Sequence, residues 1–201
     1  MYAWRKMTVG QKEEALKARK NQSFPWHGPP HFMSENSLYH VTAACYEHKH
    51  IIGYSVGRMA EFEKQLLKTL SAHAENVLAW CVLPNHYHVL VRTLNINKVV
   101  RKLGQLHGST SFYWNTAEAK RGRKCWHRCV DRAMRTERHQ WVTLNYIHHN
   151  PVHHQYVDSW QDWPFSSAKS YLESVSHEIA KERWVNHPLK DYGKGWDDPD
   201  I

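Results

Sequence analysis

Hydrophobic and polar positions follow two different periods along the middle of the chain. Tyr39–Tyr46 (YHVTAACY) is dominated by β-branched and aromatic residues and predicts a strand. Over Arg58–Glu75, Met59, Phe62, Leu66, Leu67 and Leu70 recur at helical spacing, which predicts an amphipathic helix. Val77–Leu83 is a continuous apolar run and reads as a strand buried on both faces. Leu83-Pro84-Asn85 breaks it, and His86–Thr93 starts a third strand. Asn95 is placed to cap a second helix that carries Ile96, Val99, Val100, Leu103 and Leu106 towards Trp114. A short strand is expected within 124–131, and a third helix over Thr136–Asn150, closed by Pro151. Ser166 is placed to cap a last helix reaching about Lys181.

The order β-α-β-β-α-β followed by helices predicts an α+β fold of the ferredoxin-like, split βαβ plan. It has an antiparallel sheet, helices packed on it, and an extra C-terminal helix. Residues 1–36 read as a basic N-terminal arm holding a short helix around Thr8–Lys20. Residues 37–175 read as the folded domain and residues 176–201 as a C-terminal tail.

Composition narrows the function. The 201 residues include 41% hydrophobic and 12% aromatic positions, enough for a real core. A membrane helix needs roughly 20 consecutive apolar residues, and the longest apolar run here is Val77–Leu83, so no membrane partner is expected. The first 20 residues lack the apolar stretch of a secretory signal, and 4 cysteines without export suggest reduced thiols, so a cytoplasmic protein is expected. A formal charge of +8 points to a polyanionic partner. Much of that charge lies in residues 120–139, where Lys120, Arg121, Arg123, Lys124, Arg128, Arg132, Arg135 and Arg138 face only Asp131 and Glu137. Trp126 and Trp141 interleave with them. Cations beside aromatic faces suit single-stranded nucleic acid, where phosphates are neutralised and bases stack. A solvated face would carry the same charge. Residues 191–201, with four acids and Lys194, are expected to avoid DNA and to be loosely ordered.

Three constellations carry candidate chemistry. His86-Tyr87-His88 is the first. With 17 His in the chain, about one H-x-H pair is expected by chance, and two occur. His48-Lys49-His50 sits in a polar stretch, whereas His86 and His88 open an apolar strand. Side chains alternate along a strand, so both imidazoles project from one face while Tyr87, Val89 and Val91 take the other. Two imidazoles held together can share one divalent cation and leave positions for a phosphate. Hydrogen-bonded or surface histidines would show the same pattern.

The second is W-V-T-L-N-Y-I-H-H-N-P. On a helix Trp141, Leu144 and Ile147 form one stripe, and Tyr146 and Asn150 lie side by side on a non-core face. Tyrosine is a possible covalent nucleophile, and His149 rivals Asn150 as a metal ligand. The third is Cys125, His127 and Cys129, whose alternation would place three zinc-type donors on one strand face. No Cys-x-x-Cys accompanies them, so core thiols are the plainer reading. His153 and His154 read as phosphate contacts or plain loop residues.

P-N-H-Y-H-V-L-V, K-C-W-H-R-C-V-D-R-A-M-R-T-E, Y-I-H-H-N-P-V and D-W-P-F-S-S together resemble the REP-associated tyrosine transposases, which are single-tyrosine HUH transposases. The resemblance spans roughly residues 38–173. It implies a metal-dependent, single-stranded DNA endonuclease and strand transferase, cutting near DNA hairpins through a 5′-phosphotyrosine intermediate. It places His86, His88 and Asn150 on Mg²⁺ or Mn²⁺ and makes Tyr146 the nucleophile. Arg121, Arg123, Lys124, Arg128, Arg132 and Arg135 would hold hairpin DNA as a nucleoid-associated monomer or homodimer. In that family the turn after the tyrosine helix usually carries Gly, where this chain has Gln155. The competing readings are a domesticated hairpin-binding protein without cleavage activity, a replication initiator of the same superfamily, and a zinc-stabilised nucleic-acid module.

Overall fold

The computed structural model describes Thr8, Gly10 and residues 37–193. The basic arm expected over residues 1–36, with its helix, lies outside the described residues apart from those two positions. The acidic stretch after Gly193 lies outside them as well.

The elements run β1 (Ser37–Ala44), α1 (Val56–Ser71), β2 (Asn76–Val82), β3 (His86–Thr93), α2 (Ile96–Ala117), β4 (Val130–Ala133), α3 (Glu137–His153), α4 (Ala168–Ser174) and α5 (His177–Asn186). The four strands form one sheet in the order β2-β3-β1-β4, and every pairing is antiparallel. This is the α+β, split βαβ architecture the sequence pattern predicts. Each long helix starts on a side-chain cap. Ser55, Asn95 and Thr136 accept from the backbone N–H of Arg58, Lys98 and His139, satisfying donors that the first turn leaves open.

The pairing of β1 with β3 decides what each sheet face carries. Its register sets Val41 opposite Val89, Thr42 opposite His88 and Ala44 opposite His86, and residues directly opposite share a face. One face therefore presents Tyr39, Val41, Ala43, Tyr87, Val89 and Val91. It is sealed by Met59, Phe62, Leu66 and Leu70 of α1 and by Ile96, Val99 and Leu103 of α2. The other face presents His40, His86 and His88 among Leu38, Ala79, Cys81 and Leu90. It is covered by Leu144, Tyr146 and Ile147 of α3.

Several boundaries differ from expectation for physical reasons. β2 is an edge strand, so Val77 and Leu78 are only half-buried, and a register shift falls between Val77 and Ala79. Its second half is closed by the D-W-P-F-S-S segment, through Val82 N–H to the Phe165 carbonyl at 2.8 Å and Ser167 N–H to the Trp80 carbonyl at 3.0 Å. β4 starts inside the 124–131 window, at Val130, and runs past it to Ala133. Cys125 and Trp126 turn inward as core residues, and an isolated bridge joins Trp126 to Cys45. α3 does not stop at Pro151 but runs on to His153. The single last helix is two, interrupted at extended Val175 and restarted by a Ser176 cap on the Ile179 N–H. Within the expected tail, residues 177–186 are thus helical.

Candidate active site

β3 fixes both histidines of the H-x-H pair on the face that meets α3. His86 is 1% exposed and His88 is fully buried. Their ring centroids lie 4.9 Å apart with the planes nearly perpendicular, at 79°. α3 brings the second constellation onto them. The Tyr146 ring stands edge-on to His88 at 5.2 Å, and one turn further on Asn150 Oδ1 lies 3.0 Å from His86 Nε2. Two motifs far apart in the chain therefore meet on one sheet face. The expectation that Tyr146 and Asn150 occupy a non-core face is corrected: they are 5% and 1% exposed. The middle of α3 is buried almost all round, between the sheet and the C-terminal helices, so the apolar stripe does not mark its only inner face.

Between the rival neighbours of Tyr146, the geometry separates Asn150 from His149. His149 turns to Trp184, with ring centroids 5.2 Å apart, while Asn150 faces His86. His154, after the helix, reaches the same cluster, its ring centroid 5.0 Å from that of His86. His153 is exposed beside it, 5.1 Å away between ring centroids. Gln155, which follows, has φ of 59°, the left-handed region that glycine occupies most easily. The Gly usual in the resembled family at this turn thus has a conformational reason, and this chain accepts some strain with Gln155.

The donor set suits a divalent cation. Asn150 Nδ2 is buried with no hydrogen-bond partner among the described residues. If the amide were turned about, Nδ2 would donate to His86 Nε2 and Oδ1 would become the atom left over. One polar atom of Asn150 is unsatisfied in either orientation. A buried unsatisfied polar atom costs about 1–3 kcal/mol, and of the two amide atoms only Oδ1 could turn a lone pair to a cation beside the two imidazoles. No group of three His, Cys, Asp or Glu side chains with metal-site geometry occurs among the described residues, so such a site would rely on the amide.

Sequence reasoning missed two contributors. His40 of β1, 3% exposed, places Nε2 3.1 Å from His88 Nδ1, and its ring centroid lies 6.1 Å from that of Tyr146. Strand alternation would have put it on one face with Thr42, but only the β1–β3 register shows that this is the histidine face. Tyr192 is the other. Its hydroxyl meets Thr143 Oγ1, and His139 Nε2 at 3.1 Å, and its ring stands edge-on to Tyr146 at 5.7 Å. Burial raises the Tyr192 pKa, opposed by the Thr143 hydrogen bond and Arg132. Gly193, at φ of 85°, rests directly on the Tyr146 ring, where any side chain would collide. The stretch from Asp191, expected to be loose, therefore begins by packing on Tyr146.

The basic candidates do not form one group. Arg121, Lys124, Arg128 and Arg135 are exposed, and Lys124 Nζ lies 4.3 Å from the centre of the Tyr46 ring. Arg132 is paired in register with His40, which puts it on the same side of β4 as the histidine cluster. Arg123 is spent internally: its guanidinium binds Glu118 at 2.8 and 3.0 Å and Asn115 at 2.9 Å. Glu118 also pairs with Arg58 at 2.7 Å, and the Arg123 hydrogen bonds, ahead of Arg58, pull its pKa down to about 2. Arg123 therefore anchors the basic loop and is not a free DNA contact. Trp126 is equally unavailable for stacking on bases, since it is 7% exposed and lies parallel to His107 at 4.2 Å.

Cys125, His127 and Cys129 take separate partners. Cys125 Sγ donates to Asn115 Oδ1, His127 accepts from the Glu47 N–H, and Cys129 lies beside Tyr87 and His107. Burial pushes the Cys129 thiol up to about 11, which marks it as an inert core thiol.

A four-stranded antiparallel sheet that sets two histidines against a helix-borne tyrosine is the arrangement implied by the resemblance to single-tyrosine HUH transposases. No protein-family model matches the chain. Over 145 residues the chain is 26% identical to a protein named as a REP-associated tyrosine transposase in Haemophilus influenzae, an alignment that covers 67% of this chain and 81% of that protein. Its fold is similar to the solved structure of a REP-associated tyrosine transposase bound to a REP hairpin. The TM-score is 0.55 at 19% identity, covering 69% of this chain and 81% of that one. The resemblance to REP-associated tyrosine transposases thus holds in overall sequence, and the fold agrees with it. No described helix is long and apolar enough to cross a membrane.

Proposed function

We propose that this protein is a metal-dependent DNA endonuclease and strand transferase that recognises hairpin DNA and cuts single strands beside it. The observation that carries the reading is the meeting of Tyr146 with His88, and of Asn150 with His86, in one buried cluster. The hairpin partner is supported by the solved relative, a REP-associated tyrosine transposase bound to a REP hairpin. Arg121, Lys124, Arg128 and Arg135 offer phosphate contacts, and Arg132 offers one beside the cluster.

In this reading His86, His88 and Asn150 would hold Mg²⁺ or Mn²⁺. The ion would polarise the scissile phosphate and stabilise charge on the leaving oxygen. Tyr146 gives up its hydroxyl proton, and Oη attacks phosphorus. The P–O3′ bond breaks, and the departing oxygen takes a proton to leave a free 3′-OH. The 5′ phosphoryl group stays on Tyr146, so a second 3′-OH can reverse the step and rejoin DNA without a nucleotide cofactor.

The first test compares hairpin binding and strand cleavage, with Mn²⁺ or Mg²⁺ present, in the wild type and in Tyr146→Phe. Cleavage is expected to disappear while hairpin affinity stays within about twofold. Equal loss of both would remove Tyr146 as the nucleophile. A second reading, hairpin binding without cleavage, draws on the packing of Tyr192 and Gly193 over Tyr146. It predicts tight binding by the wild type and no cutting of any hairpin tried.

A further inference from the structure

His86 is held at both ring nitrogens. Nε2 faces Asn150 Oδ1, and Nδ1 lies 2.8 Å from Asn85 Oδ1. Asn85 occupies the turn between β2 and β3 and is half-buried. Its amide has only one reasonable orientation, because Nδ2 donates to the His48 carbonyl at 3.2 Å. Turned about, Oδ1 would face that carbonyl, acceptor against acceptor. The oxygen of Asn85 is therefore committed to His86 Nδ1, and an oxygen there requires that Nδ1 carry the ring proton.

The His48 carbonyl is itself held at some cost. Glu47 and His48 are consecutive non-glycine residues at φ of 54° and 49°, in the left-handed region. Such residues cost roughly 1–2 kcal/mol each and persist where surrounding contacts impose them. Here the Glu47 N–H donates to His127 Nε2 at 3.2 Å, and the His127 backbone N–H donates to the Ala44 carbonyl at 2.8 Å. The Asn85 carbonyl also accepts from the Cys45 N–H at 2.6 Å, tying the turn to the end of β1. The polar segment E-H-K-H, whose own histidine pair carries no site, becomes the brace that aims Asn85.

We propose that Asn85 is a positioning residue that fixes the tautomer of His86, proton on Nδ1 and lone pair on Nε2, so that Nε2 faces the cluster as a metal ligand. The metal part of this rests on the nuclease reading above, but the tautomer does not. A histidine ligand whose other ring nitrogen donates to an outer partner is held in orientation and made more basic, and losing that partner typically weakens metal binding 10- to 100-fold. His40, at His88 Nδ1, occupies the corresponding place behind the second histidine.

The test uses the full chain and two variants, Asn85→Ala, which removes the acceptor, and Asn85→Asp, which keeps an oxygen facing Nδ1 while giving up the bond to the His48 carbonyl. In ¹⁵N-labelled, metal-free protein, long-range proton–nitrogen correlation of the imidazoles should show His86 protonated at Nδ1 in the wild type and in Asn85→Asp. Asn85→Ala should show a mixture of tautomers. Titration with Mn²⁺ alone, followed by electron paramagnetic resonance, should show binding weakened about 10- to 100-fold in Asn85→Ala and within about threefold of wild type in Asn85→Asp. A wild-type His86 protonated at Nε2 would overturn the proposal. So would an Asn85→Ala protein with lowered thermal stability but an unchanged His86 tautomer. If Asn85→Ala fails to fold, the wild-type and Asn85→Asp spectra decide. A wild type that takes up no Mn²⁺ yet shows the Nδ1 proton defeats the metal reading and leaves the positioning role standing.

Discussion

The two faces of the sheet are built from the same strands and do opposite things. On one, Tyr87, Val89 and Val91 meet α1 and α2 in an almost wholly apolar layer, where Phe62 touches Tyr87, Trp114 and Trp126. On the other, His86 and His88, the alternate residues of the same strand, are buried against α3 beside Asn150, whose amide keeps one unsatisfied polar atom. Burial of apolar area stabilises at roughly 25 cal/mol per Å², whereas burial of a polar atom without a partner costs. The first face holds the fold together, and the second spends part of that stability on a preorganised polar cluster. Period-two alternation allows one strand to serve both.

This division predicts effects that separate. Under the proposed nuclease reading, His88→Ala should reduce cleavage at least about 10²-fold, since a bound metal would supply several kcal/mol of charge stabilisation, and should cost less stability than Phe62→Ala. Cleavage assays beside calorimetry check it, and a large loss of stability with retained cutting would reverse the roles of the two faces. Phe62→Ala is the mirror case. It should cost about 3–5 kcal/mol in denaturant unfolding and leave cleavage near wild type at temperatures where the protein is folded.

The next effect comes from pH. His107, buried on the apolar side against Trp126, has its pKa lowered to about 4 by burial. Its unfolded value lies near 6.5, so the unfolded chain binds the extra proton first as pH falls. Stability contributed by neutral His107 is full above about 6.5 and is lost towards 4, amounting to about 2 kcal/mol by pH 5. Urea unfolding at pH 7 and pH 5 should show a drop that shrinks in His107→Gln. The smallest effect is expected at Gln155. Gln155→Gly should raise stability by up to about 1 kcal/mol, because glycine accepts the left-handed conformation freely.

How much of this was legible in the sequence depended on distance along the chain. β3 was placed to the residue because the Pro84-Asn85 turn and the alternating H-Y-H-V-L-V define both its start and its faces. The Asn95 cap was an equally local signal. β4 was displaced because Val-Asp-Arg-Ala is a weak strand sequence, held there by pairing with β1. Helical spacing gave the Tyr146–Asn150 pair but not its burial, since that depends on residues such as Tyr192 returning from the C-terminal side. His40 and Asn85 act across hydrogen bonds whose partners are set by strand register and by a strained turn, and neither leaves a mark in periodicity.

The central claim is that Tyr146 works as a nucleophile in concert with the histidine face. It is tested most directly by quenching a reaction of the protein with a single-stranded hairpin oligonucleotide and Mn²⁺, then mapping covalent nucleotide by peptide mass spectrometry. The account predicts one adduct, on the peptide carrying Tyr146, present with Mn²⁺ and absent after chelation. An adduct on another residue, or one that forms equally well without metal, would contradict it.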